Sequence, residues 1–259
     1  LRKLAVGIIR QELGSAGDED LQKLGGLLAR RVEIYQQWNE LLSARKMNID
    51  PPGTLEISWD YRLPMQGLAT HAAMDELDEI QEALGSSSML SAYQKVHDLF
   101  AQSVERHEAQ HRLDLAELYK LPMPDALENY VGPLQGGYQG KGGLASHSLA
   151  ELSAYLSELA RDPLTPRLNL TLLVGYLLNP RTWGMAESNA ALVILEELAA
   201  QLSIEHAELV VHRRIDREAV AQLYHKLSEV ETQAMRNAAS DAWAGLFATP
   251  LPALELIAR

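Results

Sequence analysis

The stretch from Ser88 to Tyr119, SMLSAYQKVHDLFAQSVERHEAQHRLDLAELY, decides the fold that we expect from this sequence. It contains neither proline nor glycine, and its apolar residues recur every three or four positions. That spacing predicts one long amphipathic helix, which Pro122 and Pro124 bring to an end. The helix is long enough to be a central element around which shorter ones pack.

Helical periodicity continues on both sides of this stretch. Further helices are predicted at residues 1–14, 18–46, 68–84, 147–161, 166–178, 185–203 and 214–246. One segment differs, because Thr54–Tyr61 alternates apolar and polar side chains after the break at Pro51–Gly53, which predicts a strand. The sequence therefore predicts a mainly α fold, a compact multi-helix domain with at most a small β element near residues 54–61.

The length of the chain favours a single domain. Its 259 residues, 47% of them hydrophobic, are enough to bury a sizeable core. No repeat of 20 to 50 residues is visible, which argues against a solenoid. We expect one helical domain over 1–259, which can divide into an N-terminal lobe at 1–85 and a lobe carrying the long helix at 86–259.

Charge and composition exclude several functions. The net charge is −12 and no stretch combines clustered Lys and Arg with aromatic residues, so we expect no nucleic-acid partner. No apolar run reaches the roughly 18 residues of a membrane span. There is no cysteine, which removes disulfides and thiolate metal sites. No signal peptide is visible, but the chain begins at Leu1 and an upstream segment would go unseen, so both a cytoplasmic and an exported, periplasmic location stay open, as does the oligomeric state.

Within the long helix lies the run His107-Glu108-Ala109-Gln110-His111. Residues four apart share one helix face, so both imidazoles can reach a single ion. Zinc takes histidine nitrogens as ligands and, in catalytic sites, keeps one position for water. Glu108 lies beside that position, where it can take a proton from the water that attacks a carbonyl. The run predicts one zinc ion per chain.

The apolar stripe of the long helix supports this hypothesis. At its period the successive positions are Met89, Tyr93, Val96, Phe100, Val104, His107, His111, Asp114 and Leu118. The histidines and the acid therefore occupy places where the pattern favours core residues. Because a buried polar group without a partner costs roughly 1–3 kcal/mol, these side chains need one, and a metal supplies it.

On His107, Glu108 and His111 the sequence resembles the HExxH zinc metallopeptidases, or zincins. The resemblance covers this run and no more of the chain. It implies that the two histidines bind zinc and that Glu108 is the general base of a hydrolase acting on peptide or protein substrates. Glu105 and Arg112 are charged where these enzymes usually have uncharged residues.

The metzincin and gluzincin branches of the zincins differ in their third zinc ligand. The metzincin pattern needs a glycine and a histidine where this sequence has Asp114 and Glu117. The gluzincin branch takes a glutamate from a downstream helix, often in Glu-x-x-Ala, and the resemblance implies Glu151, with Glu187 as the alternative. A capping-box glutamate would explain Glu151, and a first-turn acid would explain Glu187. We take Glu151 as the ligand.

Three further residues are candidates for supporting roles. Asp114 lies one turn after His111 and can accept the ring N–H of a ligand histidine, although a direct ligand or an ion-pair partner would fit its place as well. Zincins also use a side-chain donor for the oxyanion, and Tyr155 and Tyr138 are candidates. Tyr138 lies in the glycine-rich segment 132–143, which is either a connector or a flap over the site.

Two other functions compete with the peptidase. Glu108 and His111 also form a Glu-x-x-His pair, typical of di-iron carboxylate bundles, but the second such pair that those sites need is absent from the sequence. The other alternative is a non-catalytic helical protein, an interaction or regulatory module in which the run is incidental. Metal analysis separates the three, because they predict one zinc, two irons and no metal.

Overall fold

Helices make up nearly all of the regular structure in a computed structural model that describes residues 19–53, 55–117, 121–132, 143–161 and 166–253. The predicted mainly α class is confirmed. The helix predicted at 1–14 lies outside the described residues. Among the residues described, no helix combines the length and the apolar character that crossing a membrane requires.

The elements follow one another with short connections. In chain order they are α1 (Glu19–Ser43), α2 (Arg62–Met65), α3 (His71–Leu84), α4 (Ser87–Glu117), α5 (Asp125–Val131), α6 (Leu144–Arg161), α7 (Pro166–Leu178), the 3₁₀ turn Pro180–Thr182, α8 (Ala186–Gln201), β1 (Val210–Val211), β2 (Arg214–Ile215), α9 (Arg217–Ser228) and α10 (Thr232–Phe247). The helix predicted from the opening stretch is α4, with 31 residues.

The strand predicted at 54–61 is wrong for its described part, residues 55–61, which form turns and irregular chain. Alternating apolar and polar residues favour a strand only where a second strand supplies hydrogen bonds. Here the backbone amides donate to a side chain and to a nearby carbonyl instead. The Ser58 amide donates to Gln81 Oε1 at 3.0 Å, and the Arg62 amide donates to the Trp59 carbonyl at 3.1 Å. The side chain of Tyr61 is buried.

The β element of the described chain is instead a hairpin. β1 pairs antiparallel with β2, with Val210 opposite Ile215. Its two loop residues, His212 and Arg213, have φ values of 50° and 63°. Positive φ at both central residues is the geometry of the tight two-residue turn that suits a twisted hairpin. This element covers four residues and was not predicted from the sequence.

The helix predicted at 214–246 is wrong as one element, because it is divided into α9 and α10. Asp216 caps the start of α9 by accepting the amides of Glu218 and Ala219 at 2.9 and 3.1 Å. Glu231 caps α10 in the same way, its Oε2 accepting the Ala234 amide at 3.0 Å. The second cap, inside the predicted span, starts a separate helix, because the N-cap residue itself does not have helical backbone angles.

Two compact units divide the chain, Leu1–Phe100 and Ala101–Arg259, and their boundary lies inside α4. The predicted lobe boundary at residue 85 lies before that helix, and the prediction of a single domain stays a prediction. In the first unit, α1, α3 and the start of α4 share an apolar core around Trp38, Leu77 and Met89. The Trp38 and Tyr61 rings pack at a centroid distance of 5.2 Å.

The second unit is built around α6. This helix packs against α8 and α10, and residues on most of its surface are buried. Its buried apolar side chains are Leu149, Leu152, Leu156 and Leu159. Full burial of each such leucine contributes about 1.5–3 kcal/mol, so the position of α6 in the unit is firmly held. The backbone that carries the polar residues of its remaining face is held with it.

Candidate metal centre

The two histidines of α4 contact each other directly. His107 and His111 lie one turn apart, and their Nε2 atoms are 2.9 Å from each other. The ring planes are almost perpendicular, at 88°, with centroids 4.5 Å apart. An i, i+4 pair on one helix face explains the approach. Both rings thus turn the same nitrogen toward each other.

Glu151 of α6 supplies a carboxylate near these two nitrogens. Its Oε2 lies 3.5 Å from His107 Nε2, and its Oε1 lies 3.6 Å from His111 Nε2. The three side chains are partly buried, with 14, 24 and 21% of the side-chain surface exposed for His107, His111 and Glu151. One donor atom from each residue lies within 4.8 Å of the other two. The three predicted ligands are therefore neighbours.

The spacing and the chemistry of these atoms are compatible with a metal ion. At bond lengths of about 2.0–2.2 Å, tetrahedral geometry separates two ligand atoms by about 3.3–3.6 Å. The two histidine–carboxylate separations are close to this range but end on different oxygens of Glu151, and the histidine–histidine separation is shorter because the rings are hydrogen-bonded to each other. Two imidazole nitrogens with one carboxylate oxygen also form a donor set that zinc accepts.

The alternative third ligand, Glu187, lies elsewhere. It is in the first turn of α8, half-buried, where an acid interacts favourably with the helix dipole. It does not belong to the His107, His111 and Glu151 cluster, which is the one cluster of potential metal-binding side chains found among the described residues. Of the two candidates, the structure brings Glu151 to the histidines.

Glu108 is exposed on α4, between the two histidines in sequence. It is close enough to His111 for its negative charge to favour the protonated form of that ring. An exposed carboxylate next to the cluster is accessible to water and to a bound substrate. Its predicted role as a general base stays a prediction.

Two carboxylates determine the charge of His107. Burial by itself would lower the pKa of this ring, but Glu151 and Glu158 outweigh burial and raise the pKa to about 9. In His111, burial and then the charge on His107 lower the pKa. These directions agree with a protonated His107 that donates its Nε2–H to a neutral His111. Metal binding would replace that proton.

Sequence reasoning missed Glu158. This buried acid lies two turns after Glu151 on α6, and its Oε1 is 3.7 Å from His107 Nδ1. The Ser103 hydroxyl lies 3.4 Å from the same oxygen and 3.3 Å from Asn169 Oδ1 of α7, two acceptors for its one proton, and the Asn169 amide donates to Ser103 at 3.1 Å. The signal in the sequence was the seven-residue spacing from Glu151, which places both acids on one helix face.

The buried face of α4 also differs in one position from the predicted stripe. Val104, predicted to lie on it, is 57% exposed, and Ser103 is buried in its place. Over so long a helix, a period of 3.6 residues drifts away from a fixed three-and-four spacing. The side chains of Phe100 and Leu118, which the stripe also included, lie outside those described.

Asp114 is buried and hydrogen-bonded on both carboxylate oxygens. Gln110 donates to Oδ1 at 2.7 Å, and the Ser153 hydroxyl of α6 donates to Oδ2. Burial raises the pKa of Asp114, although these two hydrogen bonds oppose the rise. The charge of Asp114 acts to raise the pKa of His111. No hydrogen bond between these two side chains occurs in the described part of the chain. Asp114 thus links α4, on which it lies, to α6, and its predicted contact with a ligand ring stays a prediction.

Tyr155 lies beside the cluster, one turn after Glu151. Its ring packs edge-on against His107, with centroids 4.7 Å apart at 61°. Burial, then the hydrogen bond to Tyr176, raises the pKa of Tyr155 above its usual value, so the phenol stays protonated. A neutral phenol is a hydrogen-bond donor, as an oxyanion partner must be. The other candidate, Tyr138, lies outside the described residues.

A cavity of about 380 Å³ lies on the neighbouring side of α4. Gln110, Leu113 and Asp114 line it together with Trp243 and Phe247 of α10. Its walls are mainly apolar, and they include none of the three potential ligands. The cavity therefore does not by itself define where a substrate would meet the cluster.

The chain matches no protein-family model, and no curated protein or solved structure is similar enough to count as a match. What the fold and the cluster define is a mainly α protein with a His–His–Glu cluster that is compatible with a metal ion.

Proposed function

We propose that this protein is a zinc-dependent hydrolase, and specifically a metallopeptidase that acts on peptide or protein substrates. The observation that carries the proposal is the convergence of His107, His111 and Glu151. Their donor atoms come from two helices, and one such atom from each residue lies within 4.8 Å of the other two. To this cluster the proposal adds the activity that the HExxH motif favours, which is hydrolysis of peptide bonds.

The residues of the site would have separate roles in metal binding, proton transfer and stabilisation of the oxyanion. His107, His111 and Glu151 would hold the zinc ion, which when bound acidifies water and polarises a carbonyl group. Glu108, exposed beside His111, would accept the proton of the attacking water and pass it to the leaving amine. Tyr155, kept neutral by its surroundings, would donate a hydrogen bond to the oxygen that becomes negative.

The donor set argues against the di-iron alternative. A di-iron site uses four carboxylates and two histidines from four helices. Among the described residues, the potential metal cluster has one carboxylate and two histidines from two helices. A single ion fits this set better, and the module without catalytic activity becomes one outcome of the test below.

Replacement of Glu108 by glutamine separates binding from catalysis. Glu108→Gln should retain one zinc per chain, because this residue is not among the three donors, but should lose hydrolysis of internally quenched peptides by at least about 100-fold, the effect of losing a general base. The matched control is Glu105→Gln, a change at another exposed acid of α4, which should leave both properties unchanged.

The zinc content is measured by elemental analysis and the hydrolysis by fluorescence. Full peptide hydrolysis by the Glu108→Gln protein would rule out the mechanism. A wild-type protein that binds zinc but hydrolyses none of the peptides would point to a non-catalytic metal site.

A further inference from the structure

We propose that Glu158 is the positioning residue of the metal centre, which holds the His107 ring with Nδ1 protonated and Nε2 directed at the metal. The proposal rests on the zinc-binding part of the proposed function and adds a residue that the HExxH motif does not contain. Glu158 does not itself belong to the three-donor cluster. Its role would be exerted through His107.

The geometry gives the two nitrogens of His107 different neighbours. Nε2 faces His111 and Glu151, at 2.9 and 3.5 Å. Nδ1, on the other side of the ring, faces Glu158 Oε1 at 3.7 Å. A carboxylate accepts hydrogen bonds and does not donate them, so it favours a proton on the nitrogen that it faces. With the proton on Nδ1, the lone pair of Nε2 is directed toward the other donors.

Burial makes this contact important to both groups. Only 8% of the Glu158 side chain and 14% of the His107 side chain is exposed. A buried carboxylate needs hydrogen-bond donors or a cation, since an uncompensated charge is costly there. The Ser103 hydroxyl and His107 Nδ1 both lie near Glu158 Oε1, at 3.4 and 3.7 Å, and Ser103 is hydrogen-bonded in turn to Asn169. The carboxylate of α6 thus contacts α4 directly and is linked to α7 through Ser103.

Helix geometry places the ligand and the positioning residue on one rigid element. Glu151 and Glu158 are seven residues apart, two turns of α6, and face α4 together. The leucines on the opposite side of α6 are fully buried, so the helix has little freedom to rotate. One helix therefore contacts both nitrogens of His107, one with each acid.

Glu158 fits this role better than Asp114, the acid that the motif places one turn beyond His111. Both oxygens of Asp114 already accept hydrogen bonds, from Gln110 and from Ser153. The Glu158 carboxylate, in contrast, directly faces a ring nitrogen of a potential ligand. Ligand histidines in metalloproteins generally donate their second N–H to such a group, and removing it typically weakens metal binding by about 10–100-fold.

The test compares zinc binding in three proteins, the wild type and two variants, by competition with a chromophoric chelator. Glu158→Gln keeps the shape of the side chain and removes its charge, and should weaken zinc binding by about 10–100-fold. The control is Glu196→Gln, which alters an acid of the same unit that accepts a hydrogen bond from Tyr130 at 2.7 Å. This control should bind zinc as the wild type does.

A second measurement reports on the ring itself and needs no stable variant. In the zinc-loaded wild type, labelled with ¹⁵N in histidine, His107 should carry its proton on Nδ1 and the metal on Nε2. A proton on Nε2 with the metal on Nδ1 would overturn the proposal, whatever the variants do. Where Glu158→Gln folds, its Nδ1–H proton should resonate upfield of the wild-type position, because a neutral amide is a weaker acceptor.

The outcomes distinguish this proposal from the one on which it rests. Wild-type protein that binds no zinc would end both. Zinc binding by the wild type with an equal affinity in Glu158→Gln would remove the role of Glu158 and leave the metal centre intact. A weakening of the same size in Glu196→Gln would show a general effect of losing an acid, and would also count against it.

Discussion

The His107 ring lies between two carboxylates of the site. Glu151 lies near its Nε2 and Glu158 near its Nδ1, and together they raise its pKa to about 9 despite burial. In the metal-free protein the ring is therefore positively charged at neutral pH. A zinc ion must displace the proton on Nε2, so zinc affinity should fall as the pH is lowered.

The raised pKa of His107 predicts a pH dependence of stability in the metal-free protein. A histidine whose folded pKa lies above its unfolded value of about 6.5 stabilises fully below pH 6.5, and this contribution is lost as the pH rises through about 9. Over that interval the free energy of unfolding should fall by on the order of 2–3 kcal/mol relative to His107→Gln.

Urea unfolding in the presence of a chelator, at pH values from 6 to 10, measures this difference. His97→Gln is the matched control, since His97 is an exposed histidine of the same helix, with 60% of its side chain exposed. It should follow the wild-type curve. Parallel curves for the wild type and His107→Gln would mean that the ring is not held between two charged acids.

At the scale of single residues, the sequence predicts the part of the site that local geometry defines. His107 and His111 meet because four residues on a helix make one turn, a rule that needs no knowledge of the fold. Glu151 was favoured over Glu187 by its distance from His111 along the chain, since both glutamates match the Glu-x-x-Ala pattern. Glu158 and Ser103 escaped prediction because their partners are fixed by how α6 packs on α4, and single-sequence patterns do not contain that packing.

Caps determine where one helix ends and the next begins in the C-terminal part. Asp216 and Glu231 each accept backbone amides at a helix start, and they separate α9 from α10. Each cap satisfies donors that would otherwise have no partner within the helix. The spacing of apolar residues does not reveal these caps. For that reason the pattern over 214–246 predicted one helix.

The cap at Asp216 predicts a loss of stability on its removal. Asp216→Ala leaves the amides of Glu218 and Ala219 without their acceptor and should lower the free energy of unfolding by about 0.5–2 kcal/mol. Guanidinium unfolding followed by circular dichroism measures the change. Asp241→Ala, at an exposed position within α10, should change it by less than about 0.5 kcal/mol. Equal changes in the two variants would contradict a capping role.

At the scale of elements, the helices with strong apolar periods were predicted close to their observed bounds. The prediction of 166–178 matches α7, and that of 185–203 differs from α8 by one or two residues at its ends. Thr54–Tyr61 failed because an alternating pattern does not specify a partner strand. α5 was missed, since seven residues give too few turns for a period to appear.

For the whole molecule, the centre depends on the second unit for its ligands. His107, His111 and Glu151 all belong to Ala101–Arg259. The net charge of −12 adds a general attraction for cations, but it does not select a site. Selection comes from the meeting of α4 and α6, and the central claim is that these two helices hold one zinc ion between them.

The most direct test of that claim is anomalous scattering from crystals of the wild-type protein grown with equimolar zinc. Diffraction data recorded above and below the zinc edge should give one peak per chain, about 2.0–2.2 Å from His107 Nε2, His111 Nε2 and a Glu151 oxygen. A peak bound by Glu187 and not by Glu151, or no peak between the two histidines at full zinc saturation, would contradict the account.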